Sequence, residues 1–343
     1  MSADTGPSPT RIPTGDRVLE VNDLRVDFIT DRGWTPVIEG VSFHVDRGET
    51  LGIVGESGSG KSVSSLAVMS LIPNPPGRIS GGSIRLLGEE LTTASTKHIE
   101  DLRGDVMAMV FQEPMSSLNP AYKVGEQIAE VVRRHRGLSR KAALARAVEV
   151  LDLVGIPNAA RRAKSYPHEF SGGMRQRVML AMAISCEPQL LIADEPTTAL
   201  DVTIQAQVLE LLRDMRDEFG MALMFITHDL GVVADICDRV IVMYAGQVIE
   251  ESPIDPLYRQ PMHPYTEGLL TSMPQIGGVN ERLASIPGSP PVPWAMPTGC
   301  RFHPRCPYAL EACSSTDISL RRIDSDRSSR CIRSDEIELK GSG

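Results

Sequence analysis

Apolar residues fall into two patterns along this chain. Short runs that are apolar almost throughout recur at Thr50 to Val54, Leu190 to Ala193, Ala222 to Thr227 and Arg239 to Tyr244. Runs of that length, bounded by polar turns, predict strands buried on both faces. Other segments are helical in pattern. Ser62 to Met69, Val178 to Ser185 and Thr203 to Glu218 predict helices. Met115 to Val154 is also helical, with Leu144, Val148 and Leu151 at i, i+4 and i+7 on one helix face. Earlier, Val18 to Val21, Leu24 to Phe28 and Val41 to Val45 read as strands. Apolar strands alternating with helices predict an α/β fold, with a mostly parallel sheet covered on both faces.

Breakers divide the chain. Met1 to Asp16 is rich in Ser, Thr, Pro and Gly and has no apolar stretch, so it reads as a disordered tail and not as a secretory signal. Ile72 to Gly77 is a Pro-rich turn. Composition changes after about Gln260, and five of the twelve residues from Ile286 to Pro297 are Pro, which excludes a regular element there. The expected organisation is a tail over 1–16, a large α/β unit over 17–260 and an extension over 261–343. The helical part of the large unit is expected over about 115–180.

At 343 residues the chain suits one large domain plus an appendage. Lys and Arg number 35 against 44 Asp and Glu, a net charge of −9, which argues against a nucleic-acid partner. The basic stretch Arg133-Arg134-His135-Arg136 reads as a solvated helix face. Aromatic residues make up only 4%, so the core is expected to be aliphatic. No apolar run approaches the roughly 20 residues that span a bilayer. Cys186 and Cys237 read as small buried hydrophobes. Four more cysteines, Cys300, Cys306, Cys313 and Cys331, crowd together. Without an export signal, metal binding leads over disulfides for that group.

The candidate chemistry starts at Gly55-Glu56-Ser57-Gly58-Ser59-Gly60-Lys61-Ser62, which fits G-x-x-x-x-G-K-S/T between a strand and a helix. Glycines let the backbone N–H groups curl around a polyphosphate, and the helix N-terminus adds positive potential. Lys61 can reach the β- and γ-phosphates, and the Ser62 hydroxyl can ligate Mg2+. Leu190 to Ala193 then delivers Asp194 and Glu195 at a strand end. Asp194 can hold Mg2+, and Glu195 can polarise the water that attacks the γ-phosphate. Ser171 is a natural N-cap, and Gly172-Gly173 leave a second helix N-terminus open to an anion. A second such terminus makes sense if it clamps the nucleotide of another subunit.

With these motifs the chain resembles the ATPase subunit of an ABC transporter, over about residues 18 to 340. Phe170 to Met174 resembles the ABC signature, with Phe and Met where the common form has Leu and Gln. Gln112, in Phe111-Gln112-Glu113-Pro114, is similar to the Q-loop glutamine. Ala199-Leu200-Asp201 is similar to the D-loop, and His228 to the switch histidine. The resemblance implies a P-loop cassette with a RecA-like core sheet, an antiparallel β subdomain, a helical subdomain and a small C-terminal extension. It also implies that ATP lies between the phosphate loop of one subunit and Ser171, Gly172, Gly173 and Met174 of its partner. Gln112 would sense Mg2+ and the γ-phosphate and link the site to the membrane subunit, and His228 would contact the γ-phosphate. An aromatic residue stacks on adenine in this family; Phe28 is the first choice and Trp34 the second.

The cysteine spacing, C-x5-C-x6-C-x17-C, lacks the tight knuckles of zinc sites and matches neither common ferredoxin pattern. The residues alone leave zinc and iron–sulfur open. His263-Pro264-Tyr265-Thr266, Ile286-Pro287-Gly288 and Cys300 to Ala309 resemble the C-terminal extension of oligopeptide/dipeptide permease ATPases. That resemblance implies a 4Fe–4S cluster on the four cysteines, zinc being the alternative, with His303 as a loop residue. Such a cluster, expected far from the phosphate loop, would staple an extension that buries little apolar surface. The implied function is ATP hydrolysis driving peptide import at the cytoplasmic face of a bacterial membrane. Implied partners are a second ATPase subunit, two transmembrane permeases and an extracytoplasmic peptide-binding protein. The alternatives are an importer of nickel or another small solute, and a soluble ABC ATPase of translation or DNA repair.

Overall fold

The computed structural model describes residues 16–111, 117–198, 201–273 and 285–342. Residues 1–15 of the expected tail lie outside this range. Asp16 is held, its carboxylate 2.9 Å from Arg47.

Two long strands open the fold, β1 (Arg17–Thr30) and β2 (Gly33–Asp46). The three short strands expected here are therefore two continuous ones. The apparent gap at Asn22-Asp23 is an irregularity in register between Val21 and Leu24, where Asp23 N–H donates to Ser42 Oγ at 2.8 Å. β3 (Thr50–Val54) leaves this hairpin and enters a second sheet. β4 (Gly77–Leu86) and the two-residue β5 (Glu89–Glu90) return to complete a four-stranded antiparallel sheet, ordered β2-β1-β4-β5.

The main sheet adds β6 (Met107–Val110), β7 (Leu190–Asp194), β8 (Ala222–Thr227), β9 (Arg239–Tyr244), β10 (Gln247–Pro253), β11 (Arg321–Arg322) and β12 (Ser328–Ser329). Its order is β11-β12-β10-β9-β3-β8-β7-β6. The pairs from β9 to β6 are parallel, as the apolar runs predicted. The pairs of β10, β12 and β11 are antiparallel.

Alternate residues of the parallel strands serve opposite faces. Leu51, Ile53, Ile192, Met224 and Ile241 pack with Val26, Ile38 and Val41 of the antiparallel sheet. Val54, Leu191, Phe225 and Val242 pack with the helices, including Gly172–Ile184 and Val202–Phe219. The helical stretch expected over Met115 to Val154 holds two described helices, Val124–Arg136 and Arg140–Leu153. Gly137, at φ 63°, ends the first, and Ser139 caps the second by accepting from Ala142 N–H.

The extension departs most from expectation. It does not stand apart: β12 pairs with β10, and Tyr265 and Phe302 are buried in the same core as Val54 and Phe225. Phe302 packs edge-on against Tyr244 and Tyr265, each ring centroid 5.3 Å away. An aromatic knot thus joins the extension to β9 inside a largely aliphatic core. Among the described residues, no helix is long and apolar enough to cross a membrane.

Candidate nucleotide site

Three neighbouring parallel strands end together. Val54 of β3 pairs with Thr227 of β8, and Ile226 pairs with Asp194 of β7. The phosphate loop, the Asp194-Glu195 pair and His228 therefore emerge at one sheet edge, where open α/β sheets bind ligands.

After β3 the chain turns through Gly55 and reaches the helix Lys61–Val68 at Gly60. Gly55 has φ 155° and Gly60 has φ 105°. A Cβ at Gly55 would lie 2.2 Å from the Met243 carbonyl, and one at Gly60 would lie 2.4 Å from Ile38 Cδ1. Neither position admits a side chain, so β9 and β2 hold the loop by direct contact. Lys61 is buried, and its Nζ donates to the carbonyls of Gly55 at 2.7 Å and Glu56 at 3.0 Å. Burial lowers its pKa, while Glu195, Asp194 and Glu56 pull it back up. Ser57 and Gly58 form the exposed tip of the loop, and Ser59 is buried beneath it.

Ser62 Oγ donates to Asp194 Oδ1 at 3.2 Å. The two groups read as cation ligands therefore meet. Burial pushes the Asp194 carboxyl up, and a divalent cation beside it would favour the charged form. Glu195 sits in the left-handed region at φ 49°, its N–H bonded to Ile226 O at 2.9 Å. Few residues other than glycine adopt that conformation, and it re-aims the carboxylate after the strand end. Thr198 Oγ1 donates to Glu195 Oε2 at 2.9 Å, and His228 Nδ1 lies 3.2 Å from Oε1. Burial opposes the Glu195 charge, yet these bonds and the His228 and Lys61 charges outweigh it and hold its carboxyl below the ordinary range. Glu195 is thus an ionised, oriented acceptor, the state a water-polarising base requires.

A second group forms elsewhere. Ser171 caps the helix Gly172–Ile184, its Oγ accepting from Met174 N–H at 3.3 Å. The helix thus starts at the signature, six residues before the Val178 expected. Ser171, Gly172, Gly173 and Met174 line one open cavity of about 500 Å³ with Asp201. Asp201 Oδ1 accepts from Ile204 N–H at 2.9 Å and so caps Val202–Phe219. The phosphate-loop residues do not line this cavity.

Gln112 lies outside the described residues, as do Ala199 and Leu200. Phe28 and Trp34 occupy opposite faces of the antiparallel sheet, since Phe28 pairs with Thr35 and Trp34 with Ile29. Phe28 is two residues from Val26, whose partner Ile38 abuts Gly60. Trp34 is 43% exposed, with the Arg78 guanidinium 4.0 Å over its ring.

Three contacts were not visible in the sequence. Thr198 holds Glu195; its position three residues on was the available signal. Glu56 donates its backbone N–H to Tyr265 Oη at 2.8 Å, and its carboxylate is paired with Arg305. Both partners come from the extension, so the cysteine-bearing segment is not far from the phosphate loop, contrary to expectation.

All four clustered cysteines line one small pocket with His263 and His303, and none is in a disulfide. Burial raises the Cys300 thiol, and pushes Cys306 and Cys331 up to about 11. Among the described residues, no three His, Cys, Asp or Glu side chains are gathered as the ligands of one metal ion. The expected metal-binding site is therefore not present as a formed single-ion site. Cys186 and Cys237 are buried, as expected.

A phosphate loop, an acidic pair beyond a buried strand, and a separate open helix N-terminus define an ABC-type ATPase cassette. Comparison with known proteins agrees. The family model "ABC transporter" matches residues 38–198, and "Oligopeptide/dipeptide transporter, C-terminal region" matches residues 249–313. The oligopeptide transport ATP-binding protein AppD of Bacillus subtilis is 52% identical over 319 residues, covering 93% of this chain and 97% of that one. OppD of the same organism is 54% identical over 296 residues, 86% of this chain and 83% of that one. The dimeric structure of MJ0796, a bacterial ABC transporter cassette, superposes with a TM-score of 0.62 at 26% identity, covering 69% of this chain and 98% of that chain. The chain belongs to the ABC transporter ATPases, in the branch that carries the oligopeptide/dipeptide transporter C-terminal region.

Proposed function

We propose that this chain is the ATP-binding and ATP-hydrolysing subunit of an importer of di- and oligopeptides. Similarity to the oligopeptide transport ATP-binding proteins along nearly the whole chain carries this reading. In it, residues 17–260 form the ATPase unit, with its helical part over about 115–180, and 261–343 form the extension. Gly55 to Ser62 cradle the phosphates, Lys61 neutralises the β- and γ-phosphates, and Phe28 stacks on adenine. Ser62, Asp194 and Gln112 hold Mg2+. Glu195 polarises the attacking water, with His228 beside it on the γ-phosphate. Ser171 to Met174, together with Asp201, close over the nucleotide of a second ATPase subunit, a related but different chain. Closure moves two transmembrane permeases, fed by an extracytoplasmic peptide-binding protein, and places this chain on the cytoplasmic face of the membrane. A cleft of about 510 Å³ between core and helical residues, lined by Met69, Leu71, Arg103, Phe111, Val131 and Met182, supports permease docking there.

The finer reading of the extension is a 4Fe–4S cluster on Cys300, Cys306, Cys313 and Cys331. Convergence of the four cysteine side chains on one pocket supports it. So does His263: its Nδ1 accepts from Tyr265 N–H, leaving a buried Nε2 without a protein partner. A single zinc ion, at about 2.3 Å from each sulfur, needs its ligands closely gathered, whereas a four-iron group spaces them more widely. When bound, the group would cross-link the extension through four thiolates. Iron and acid-labile sulfide in protein purified without oxygen would support this; equimolar zinc, or no metal, would overturn it.

Transport tests the function. Vesicles containing the permeases, both ATPase subunits and the binding protein should take up labelled peptide only when ATP is present. ATP-driven uptake of a small inorganic solute with no uptake of peptide would overturn the cargo.

A further inference from the structure

The loop between Cys300 and Cys306 grips the underside of the phosphate loop. The Arg305 side chain is only 5% exposed. Its Nη1 lies 2.7 Å from Glu56 Oε2 and its Nη2 lies 3.1 Å from Oε1, a bidentate pair. Nε donates to Pro287 O at 2.8 Å, and the guanidinium sits 5.8 Å from the ring centroids of both Tyr244 and Phe302. Arg305 is therefore fixed on every side before it meets Glu56. Four residues back, Arg301 pairs with Glu39 and donates to the Ala245 carbonyl. The next residue, Gly246, donates its N–H to Ser59 O at 2.9 Å. Two arginines of one short loop thus reach the phosphate loop, one directly and one through the β9–β10 turn.

Glu56 poses an electrostatic problem. It places a carboxylate within a loop whose motif binds a polyphosphate. Lys61 is also close enough to feel its charge, but Lys61 is needed by the phosphates. An uncompensated carboxylate at this point would repel the anion.

We propose that Arg305 is a positioning residue of the nucleotide site, orienting and neutralising Glu56 so that the phosphate loop accepts ATP. The inference rests on the ATP-site reading above and ties the cysteine-bearing extension to nucleotide affinity.

The test is ATP affinity of the purified full-length chain, measured by titration with a fluorescent ATP analogue and competition by ATP. Arg305→Ala should weaken ATP about tenfold, because an ion-paired carboxylate is left unpaired. Arg305→Lys should weaken it about threefold, because an ammonium cannot supply the planar fork. Adding Glu56→Gln to Arg305→Ala should return affinity to within about twofold of the wild type, since the unpaired charge is gone. Unchanged affinity in Arg305→Ala, or a loss that persists in the double variant, overturns the proposal. Should Arg305→Ala not fold, Arg305→Lys decides: weaker ATP binding supports the role and unchanged binding overturns it. A wild-type chain that binds no ATP removes the site reading itself, and this inference with it.

Discussion

Two groups of residues on this chain, one around the phosphate loop and one at Ser171 to Met174, are built in opposite ways. The phosphate-loop group is buried, charged and crowded. Lys61 and Asp194 are 6% exposed, Glu195 is held by two side chains in a left-handed backbone, and glycines touch β2 and β9 directly. The second group is exposed at Ser171 and Gly172, half-buried at Gly173 and Met174, and carries no acidic or basic side chain over those four residues. A Cβ at Gly172 would meet nothing within 4 Å. In the first group, side chains of one chain hold one another in place. The second offers backbone N–H groups and open space, and among the described residues none fills that space. In the proposed function one chain carries half of each of two sites, and the difference would separate residues that do chemistry from residues that receive another subunit's nucleotide.

The comparison breaks first at Glu195. Replacing the carboxylate by an amide keeps the shape but removes the base. Glu195→Gln should lower steady-state ATP turnover about 10³-fold while nucleotide binding persists. Phosphate release and equilibrium nucleotide binding measured on one preparation check this. Comparable turnover in the variant would remove Glu195 from the chemistry.

Gly172 should give a smaller but more selective effect. The open space above it accepts a side chain without strain in the single chain, so Gly172→Asp should fold normally. A carboxylate there would oppose an approaching polyphosphate. Turnover in the paired ATPase should fall about 30-fold, while ATP affinity of the separate chain changes less than about twofold. Equal losses in both measurements would mean that the signature belongs to the chain's own site, erasing the contrast.

The side chains that hold Glu195 come next. His228→Ala removes a ring 3.2 Å from Glu195 Oε1 and should slow turnover about 20-fold. Thr198→Val removes one hydrogen bond, about 1 kcal/mol, and should slow it about fivefold. Single-turnover rates distinguish both from losses in ATP binding. Thr198→Val should lower the rate without moving ATP affinity.

How much of this could be read in the sequence follows from how local each contact is. Gly55 to Ser62 is one continuous segment whose neighbours are set by a strand and a helix, so its geometry was legible. Asp194 and His228 were legible because each ends an apolar strand, and parallel neighbours end at one edge. The antiparallel sheet was only partly legible. The irregularity at Asn22-Asp23 looks like a break in β1, and Gly81-Gly82 interrupts the apolar pattern of β4. The extension was the least legible. Its cysteines were obvious, but Arg305 meets Glu56 across 249 positions, and no local pattern reports a contact of that span. Nor does any local pattern report that Phe302 and Tyr265 pack against Tyr244. The extension was therefore expected as a poorly buried appendage, whereas it shares the core of the cassette.

Ser171 gives the smallest predicted effect and separates its two duties. Its Oγ caps the helix Gly172–Ile184 by accepting from Met174 N–H, and it also stands at the rim of the open cavity. Ser171→Ala removes the cap and should cost about 1 kcal/mol of stability, read as a lower urea midpoint at unchanged slope. Ser171→Asn retains a capping oxygen and should restore most of that stability. Turnover need not follow. An asparagine amide fills space that a hydroxyl leaves free, in the place where the proposed function puts another subunit's phosphate. If Ser171 serves that nucleotide, Ser171→Asn should be nearly as stable as the wild type yet remain severalfold slower in the paired ATPase. If activity returned together with stability, the hydroxyl would be a cap alone, and the receiving half of the site would rest on Gly172 and Gly173.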